Sequence, residues 1–162
     1  MLSLDLAVSL LLIYLFIENI NRRDRSIKEN HNNSYKSFPF SSSMELVALL
    51  SSGKGTWAQV SGLIKYGEWE RIIIFGDEFA SQFQAEDKKE IIEFIKIDLT
   101  KKIKDLRDEF LKKLKGKIDG TEVALSIASG DGKEHMALIS ALINFPVGIR
   151  FAALTKEGVI DM

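Results

Sequence analysis

Two glycine-containing stretches carry the residue types best suited to holding an anion. Ser51-Ser52-Gly53-Lys54-Gly55-Thr56 follows a short apolar run and precedes a segment with helical spacing. Ser129-Gly130-Asp131-Gly132-Lys133-Glu134-His135 has the same layout further along the chain. Glycine lets the backbone come close to a ligand, and a helix N-terminus presents free N–H groups to negative charge. Lys54 and Lys133 add positive charge, and Ser51, Ser52, Thr56 and Ser129 add hydroxyls. A second reading stands beside this one, in which Ser52 or Thr56 caps a helix and the glycines serve turn geometry. Lys133 in a first helical turn opposes the helix dipole by roughly 0.3–1 kcal/mol. That cost is tolerable if Lys133 meets an anionic ligand, and equally if it pairs with Asp131. His135 is either a neighbour of the ligand or an ordinary helix residue.

Two familiar phosphate motifs come close. Gly53-Lys54-Gly55-Thr56 looks like the end of a P-loop, but that loop needs a glycine where Ala48 stands, so it is too short to wrap a phosphate. Gly53-x-Gly55-x-x-Ala58 matches the dinucleotide fingerprint, and Asp77 falls near the position that would bind a ribose hydroxyl. Ser51 and Ser52 intervene before its first glycine, and Lys54 is bulky for a pyrophosphate turn. An NAD(P)-type dinucleotide site therefore remains one alternative to another nucleotide site, and a structural or interaction protein without ligand is the other. The chain has no cysteine, which excludes disulfides, thiol catalysis and thiolate metal sites. With two histidines, His31 and His135, a multi-histidine metal site is not expected either. No metal and no cofactor are expected. A net charge of −1 gives no sign of duplex nucleic acid as a partner.

The elements that must position these turns are legible from residue 44 onward. Residues 46–50 are nearly all apolar, as in a strand buried on both faces. A helix is expected over 56–66, with Trp57, Val60, Leu63 and Ile64 on one side and Gly67 as its stop. A strand follows at 71–75, then a loop or short helix over 77–85 and a strand at 92–97. The spacing of Leu99, Ile103, Leu106, Phe110 and Leu114 predicts a helix over 99–117, its charges forming a solvated face. Strands are expected at 122–128, 147–154 and 159–162, and a helix at 133–144 with Met136, Ile139, Leu142 and Ile143 as its core residues. Alternating strands and helices define an α/β fold, a Rossmann-like three-layer domain with a mostly parallel sheet of five to six strands. Ligands bind such sheets outside the carboxyl ends of the strands, where the strand order reverses. The first and fourth strands are the expected reversal, and both glycine turns follow them.

Composition changes near Met44. Residues 6–17 are an apolar run shorter than the roughly 20 residues of a spanning helix. No basic residue precedes the run, which makes a poor secretory signal and a membrane an unfavoured partner. Residues 18–33 are polar and rich in Asn, Arg and Lys, a composition expected to be disordered. Residues 1–43 therefore read as an extension of a domain spanning 44–162. The missing cysteines fit a cytoplasmic location.

The run 123–142, VALSIASGDGKEHMALISAL, resembles the signature of CRISPR-associated Rossmann fold (CARF) domains. There, a fourth strand leads into a Thr/Ser-Gly-Gly-Thr-Lys-x-Met corner and an Ala/Leu-rich helix. Gly130, Gly132, Lys133 and Met136 occupy comparable places, with one extra residue before Met136 and Asp131 in place of the usual wording. The resemblance implies a homodimer that binds a cyclic oligoadenylate messenger at the dimer interface in CRISPR-linked antiviral defence. It further implies that Ser51, Ser52, Gly53, Lys54, Gly55 and Thr56 line one side of the pocket. Ser129, Gly130, Asp131, Gly132, Lys133 and His135 would line the other. Some members cleave the ring without metal, using the ribose 2′-hydroxyl, and Ser52 and Lys133 are the residues such a ring nuclease would use here. Because the chain has no room for a fused effector, a stand-alone protein is implied.

The domain boundary is testable. A protein comprising residues 44–162 should be soluble and melt cooperatively in a calorimeter. An insoluble or non-cooperative product would contradict the boundary.

Overall fold

The computed structural model describes residues 44–162 except Ser52 and Glu86. The expectations for residues 1–43 and for the Ser52 hydroxyl lie outside the described residues.

An all-apolar strand is stable only where both of its faces are covered. Glu45–Leu50 (β1) is buried along its whole length. It pairs in parallel with Arg71–Gly76 (β2) on one side and Glu122–Ser126 (β4) on the other. Ile92–Lys96 (β3) pairs in parallel with β2, and Gly148–Thr155 (β5) with β4. Gly158–Asp161 (β6) returns antiparallel along β5. The order β3-β2-β1-β4-β5-β6 reverses between β1 and β4. The expected α/β three-layer domain is therefore present, with a sheet of six strands.

Period-two alternation divides the core in two. Val47, Leu49, Ile73, Phe75 and Leu125 face Ile103–Leu114 (α2) and Gly132–Leu142 (α3). Leu46, Ala48, Leu50, Ile72 and Ile74 face Lys54–Tyr66 (α1). The division follows from handedness. The step from β1 to β2 runs opposite to those from β3 to β4 and from β4 to β5, so right-handed crossovers put α1 alone on one face. Among the described residues the β2–β3 connection holds two single 3₁₀ turns, Ala80–Gln82 and Lys89–Ile91. Ala80, Phe83, Ala85 and Ile91 fill the space that a crossover helix would otherwise cover.

Several boundaries differ from the sequence expectation for local reasons. α2 begins at Ile103 rather than Leu99, because Thr100 donates both its N–H and its hydroxyl to Asp98 and turns the chain first. It ends at Leu114 because Gly116 adopts φ +73, a left-handed terminus. α3 ends two residues early, where Asn144 and Phe145 donate to the carbonyls three residues back. Two core assignments are corrected. Met136 is 62% exposed and Ile143 is 68% exposed. α3 turns Glu134, Ala137, Leu138, Ala141 and Leu142 inward, and residues seven apart on the opposite flank share the outer face. Ile103, in the first turn of α2, is also exposed. No helix among the described residues is long and apolar enough to cross a membrane.

Phe110 of α2 is fully buried, its ring edge-on to Phe75 of β2 with centroids 5.0 Å apart. Phe110→Ala removes this contact and leaves a cavity beneath α2, which should cost about 3–5 kcal/mol of stability. Urea denaturation measures it, and a loss below about 1 kcal/mol would mean that the α2 layer is not packed as described.

Candidate functional site

β1 and β4 are neighbours, so the turns that leave their carboxyl ends are neighbours too. The Ser51 N–H donates to Oγ of the buried Ser129 at 3.0 Å, joining the two turns directly. The Ser51 carbonyl accepts from the Trp57 indole N–H at 3.0 Å. The Trp57 ring packs against Phe79 and Phe83, with centroids 5.5 and 5.9 Å away. This ties α1 to the β2–β3 connection.

Gly130 adopts φ +113, a conformation that L side chains rarely enter. A Cβ there would stand 2.5 Å from Cδ2 of Leu49, so the second turn crosses close over the end of β1. The His135 Nε2–H donates to the Ser129 carbonyl at 2.8 Å, since a carbonyl can only accept. His135 thus braces the turn from within.

The two helix N-termini, alike in sequence, differ in chemistry. α1 begins after Gly53 with no side-chain cap and no acidic residue in its first turn. The reading of Thr56 as a cap is corrected, because its N–H and hydroxyl both donate back to the Gly53 carbonyl, at 3.0 and 2.8 Å. Among the described residues neither Thr56 nor an acidic residue of the first turn caps this helix end, whose positive dipole end suits an anion. α3 is closed. Asp131 accepts from the Glu134 N–H at 2.8 Å, and the buried Glu134 carboxylate accepts from the Asp131 N–H at 2.9 Å, a complete capping box. Two carboxylates therefore occupy the end at which a phosphate would otherwise sit.

Lys133 does not pair with Asp131. Its ammonium donates to the Leu99 carbonyl at 2.6 Å and to the Lys101 carbonyl at 3.3 Å. Asp131, the alternative partner, is committed to the Glu134 amide. Lys133 thereby fastens α3 to the chain entering α2. At Gly53 an added Cβ would meet nothing nearer than Thr56 Oγ1 at 3.8 Å, and at Gly132 nothing within 4 Å, so both glycines border open space.

Beside this corner, at the carboxyl ends of β2 and β3, lies a cavity of about 420 Å³. Asp77, Glu78, Lys96, Asp98 and Glu109 line it. Asp77 accepts from the Ala80 N–H at 2.8 Å, Glu78 pairs with Lys96, and Glu109 pairs with Lys101 at 2.7 Å. The Thr100 hydroxyl and N–H, with Lys101 and Lys133 nearby, hold the Asp98 carboxyl below its ordinary range. The Glu109 carboxylate holds the Lys101 ammonium above its own. An acidic wall of this kind repels phosphate and suits hydroxyl or amino groups, so an anionic ligand would place its charge at α1. Among the described residues no group of His, Asp or Glu converges as a metal site.

Sequence reasoning brought together Ser51, Gly53, Thr56, Ser129, Gly130, Gly132 and His135, and the structure places all of them at this corner. It missed Glu134, although the Asp131-x-x-Glu134 spacing is itself a capping signal. It also missed the polar role of Trp57, which carried no signal beyond helical spacing. No protein-family model matches the chain, and neither does any curated protein. Fold and corner together define an α/β domain whose topological switch point holds one open and one closed helix N-terminus.

Gly130→Ala should strain the backbone and push on Leu49 and His135, costing about 1–3 kcal/mol. Thermal denaturation checks this, and an unchanged melting temperature would show that the second turn does not depend on its left-handed glycine.

Proposed function

We propose that the domain binds a nucleotide, with a cyclic oligoadenylate as the leading ligand, at the corner formed by Ser51–Thr56 and Ser129–His135. The single observation that carries the reading is the Ser51–Ser129 hydrogen bond, which holds the uncapped N-terminus of α1 beside the second glycine turn at the switch point. A phosphate would accept from the first amides of α1, and the open edge at Gly132 would receive the sugar or base. The resemblance of residues 123–142 to CARF domains selects the cyclic oligoadenylate among nucleotides. It also supports a homodimer acting in CRISPR-linked antiviral defence in the cytoplasm. Metal-independent ring cleavage by the ribose 2′-hydroxyl, with Ser52 and Lys133 as catalytic residues, extends the same reading. For Lys133 to touch the ring it must exchange the Leu99 and Lys101 carbonyls for phosphate oxygens.

A specific observation favours the second reading, an NAD(P)-type dinucleotide. The strand order is that of the dinucleotide-binding fold, and Asp77 stands at the end of β2 beside the acidic cavity, where ribose hydroxyls would be met.

Thermal-shift and calorimetric titrations of the full chain against cyclic tetra- and hexa-adenylate, NAD, NADP and ATP separate these readings. The account expects a cyclic oligoadenylate to raise the melting temperature most. Binding of NAD or NADP alone would replace it by the second reading, and binding of none would remove both. Lys54→Glu gives a test with opposite signs. A carboxylate in the first turn of α1 should raise stability by about 0.3–1 kcal/mol. It should also weaken nucleotide binding at least tenfold, about 1.4 kcal/mol. Unchanged affinity would discard the α1 terminus as the phosphate site. Any ring cleavage should persist in EDTA and fall in Ser52→Ala and Lys133→Ala.

A further inference from the structure

The chain from β2 to β3 steps in the same direction as that from β1 to β2, so its right-handed crossover lies over the face that carries α1. Short 3₁₀ turns shield a sheet less completely than a helix does. Between this connection and the strands a cavity of about 380 Å³ is left. Ile74 of β2, its register partner Phe94 of β3 and Ile92 form the wall on the sheet side. Phe83 and Ala85 form the wall on the side of the connection. All five belong to the apolar layer beneath α1. The space is larger than a packing defect, since an apolar hole of about 150 Å³ already holds benzene. It falls within the roughly 300–1,000 Å³ of small-molecule sites.

The polar groups of this cavity select its occupant. Gln84 and Lys89 complete the lining and are its two exposed members, so they stand at the mouth above apolar walls. No acidic side chain among the described residues lines it, in contrast to the acidic cavity at the carboxyl ends of β2 and β3. Among the described residues the Lys89 ammonium has no hydrogen-bond or ion-pair partner. The segment that carries it is fixed. Lys88 adopts φ +57, an uncommon left-handed conformation for a residue with a side chain, and its ammonium donates to the Gly67 carbonyl at the end of α1. Lys89 follows as the first residue of the 3₁₀ turn. An apolar body suits the walls, and an anionic head suits the cation at the mouth. The Gln84 amide offers N–H donors to the same head. A single lysine balances the one charge of a carboxylate rather than the two of a phosphate monoester.

We infer that this cavity is a binding site for a small monocarboxylate with an apolar body, which lies against Phe83, Ile92 and Phe94 while its carboxylate meets Lys89. The site shares no lining residue with the corner of the two glycine turns, and the inference is independent of the nucleotide reading. Phe83 also packs edge-on to Trp57, so an occupant that presses on Phe83 is felt at the indole ring.

Titration of the full chain with octanoate, followed by amide ¹⁵N–¹H spectra, is the test. Octanol and octylamine serve as the neutral and cationic counterparts, and phenylpropionate as an aromatic carboxylate. A carboxylate should bind saturably in the millimolar range or below, with shifts centred on the amides of Gln84, Ala85, Lys89, Ile92 and Phe94. It should change the tryptophan emission, and Trp57→Phe should remove that change. Octanoate should bind about fivefold more tightly than octanol, the size of effect that a charge pair at an exposed lysine supplies. Octylamine should bind most weakly. Lys89→Glu replaces an exposed side chain, so its far-ultraviolet circular dichroism should be kept. It should reverse the order, so that octylamine binds more tightly than octanoate, an outcome that a folding defect cannot produce. Tighter binding of phenylpropionate than of octanoate would assign the apolar body as a ring, and the opposite order as a chain. Absence of saturable binding by both carboxylates, shifts centred away from these residues, equal affinity for octanoate and octanol, or an order unchanged in Lys89→Glu would overturn the inference.

Discussion

β1 is the constraint on which the rest of the domain depends. Its six residues are buried, paired with β2 along the whole strand and with β4 from Glu45 to Ala48. Its one charged residue, Glu45, accepts from the N–H groups of Asp119 and Gly120 at 2.8 and 3.3 Å and so ties the opposite end of the sheet together. A central strand covered in this way requires helices on both sides, and right-handed crossovers then settle which helix lies on which face. With β4 as its other neighbour, the turns after β1 and β4 must meet. The Ser51–Ser129 bond is the local consequence of that topology rather than a separate device.

The meeting of the turns produces an asymmetry. Every helix N-terminus has amides without intrahelical partners. α3 satisfies its own with Asp131 and Glu134, and the cost of burying Glu134 is offset by its bond to the Asp131 amide. α1 carries no such cap, and Gly53 keeps the approach open. One terminus is rigid and negatively guarded, the other is accessible to negative charge, and an acidic cavity lies beside them.

The large features were legible because they follow from burial. The Ile72-Ile73-Ile74 run and the apolar 46–50 segment have no polar side to expose, and the α2 stripe repeats at helical spacing. What was not legible depends on neighbours distant in sequence. Met136 and Ile143 look like core residues by type, yet the direction of α3 is set by Leu138 and Leu142 packing inward, which turns them outward. Lys133 lies two residues from Asp131 but reaches backbone carbonyls more than thirty residues away. The two glycine turns look equivalent as strings and are distinguished by one side chain, Glu134, folding back on its own helix end.

The central claim is that the open terminus of α1, and not the capped terminus of α3, receives the charge of a nucleotide. A titration followed by amide ¹⁵N–¹H spectra reads both termini in one experiment. With cyclic tetra- or hexa-adenylate the account predicts large shifts at the amides of Gly53, Lys54 and Gly55, smaller ones at Gly130 and Gly132, and near-constant positions at Asp131 and Glu134, whose amides are already bonded. Shifts concentrated at Asp131 and Glu134, or confined to a surface remote from both turns, would contradict it.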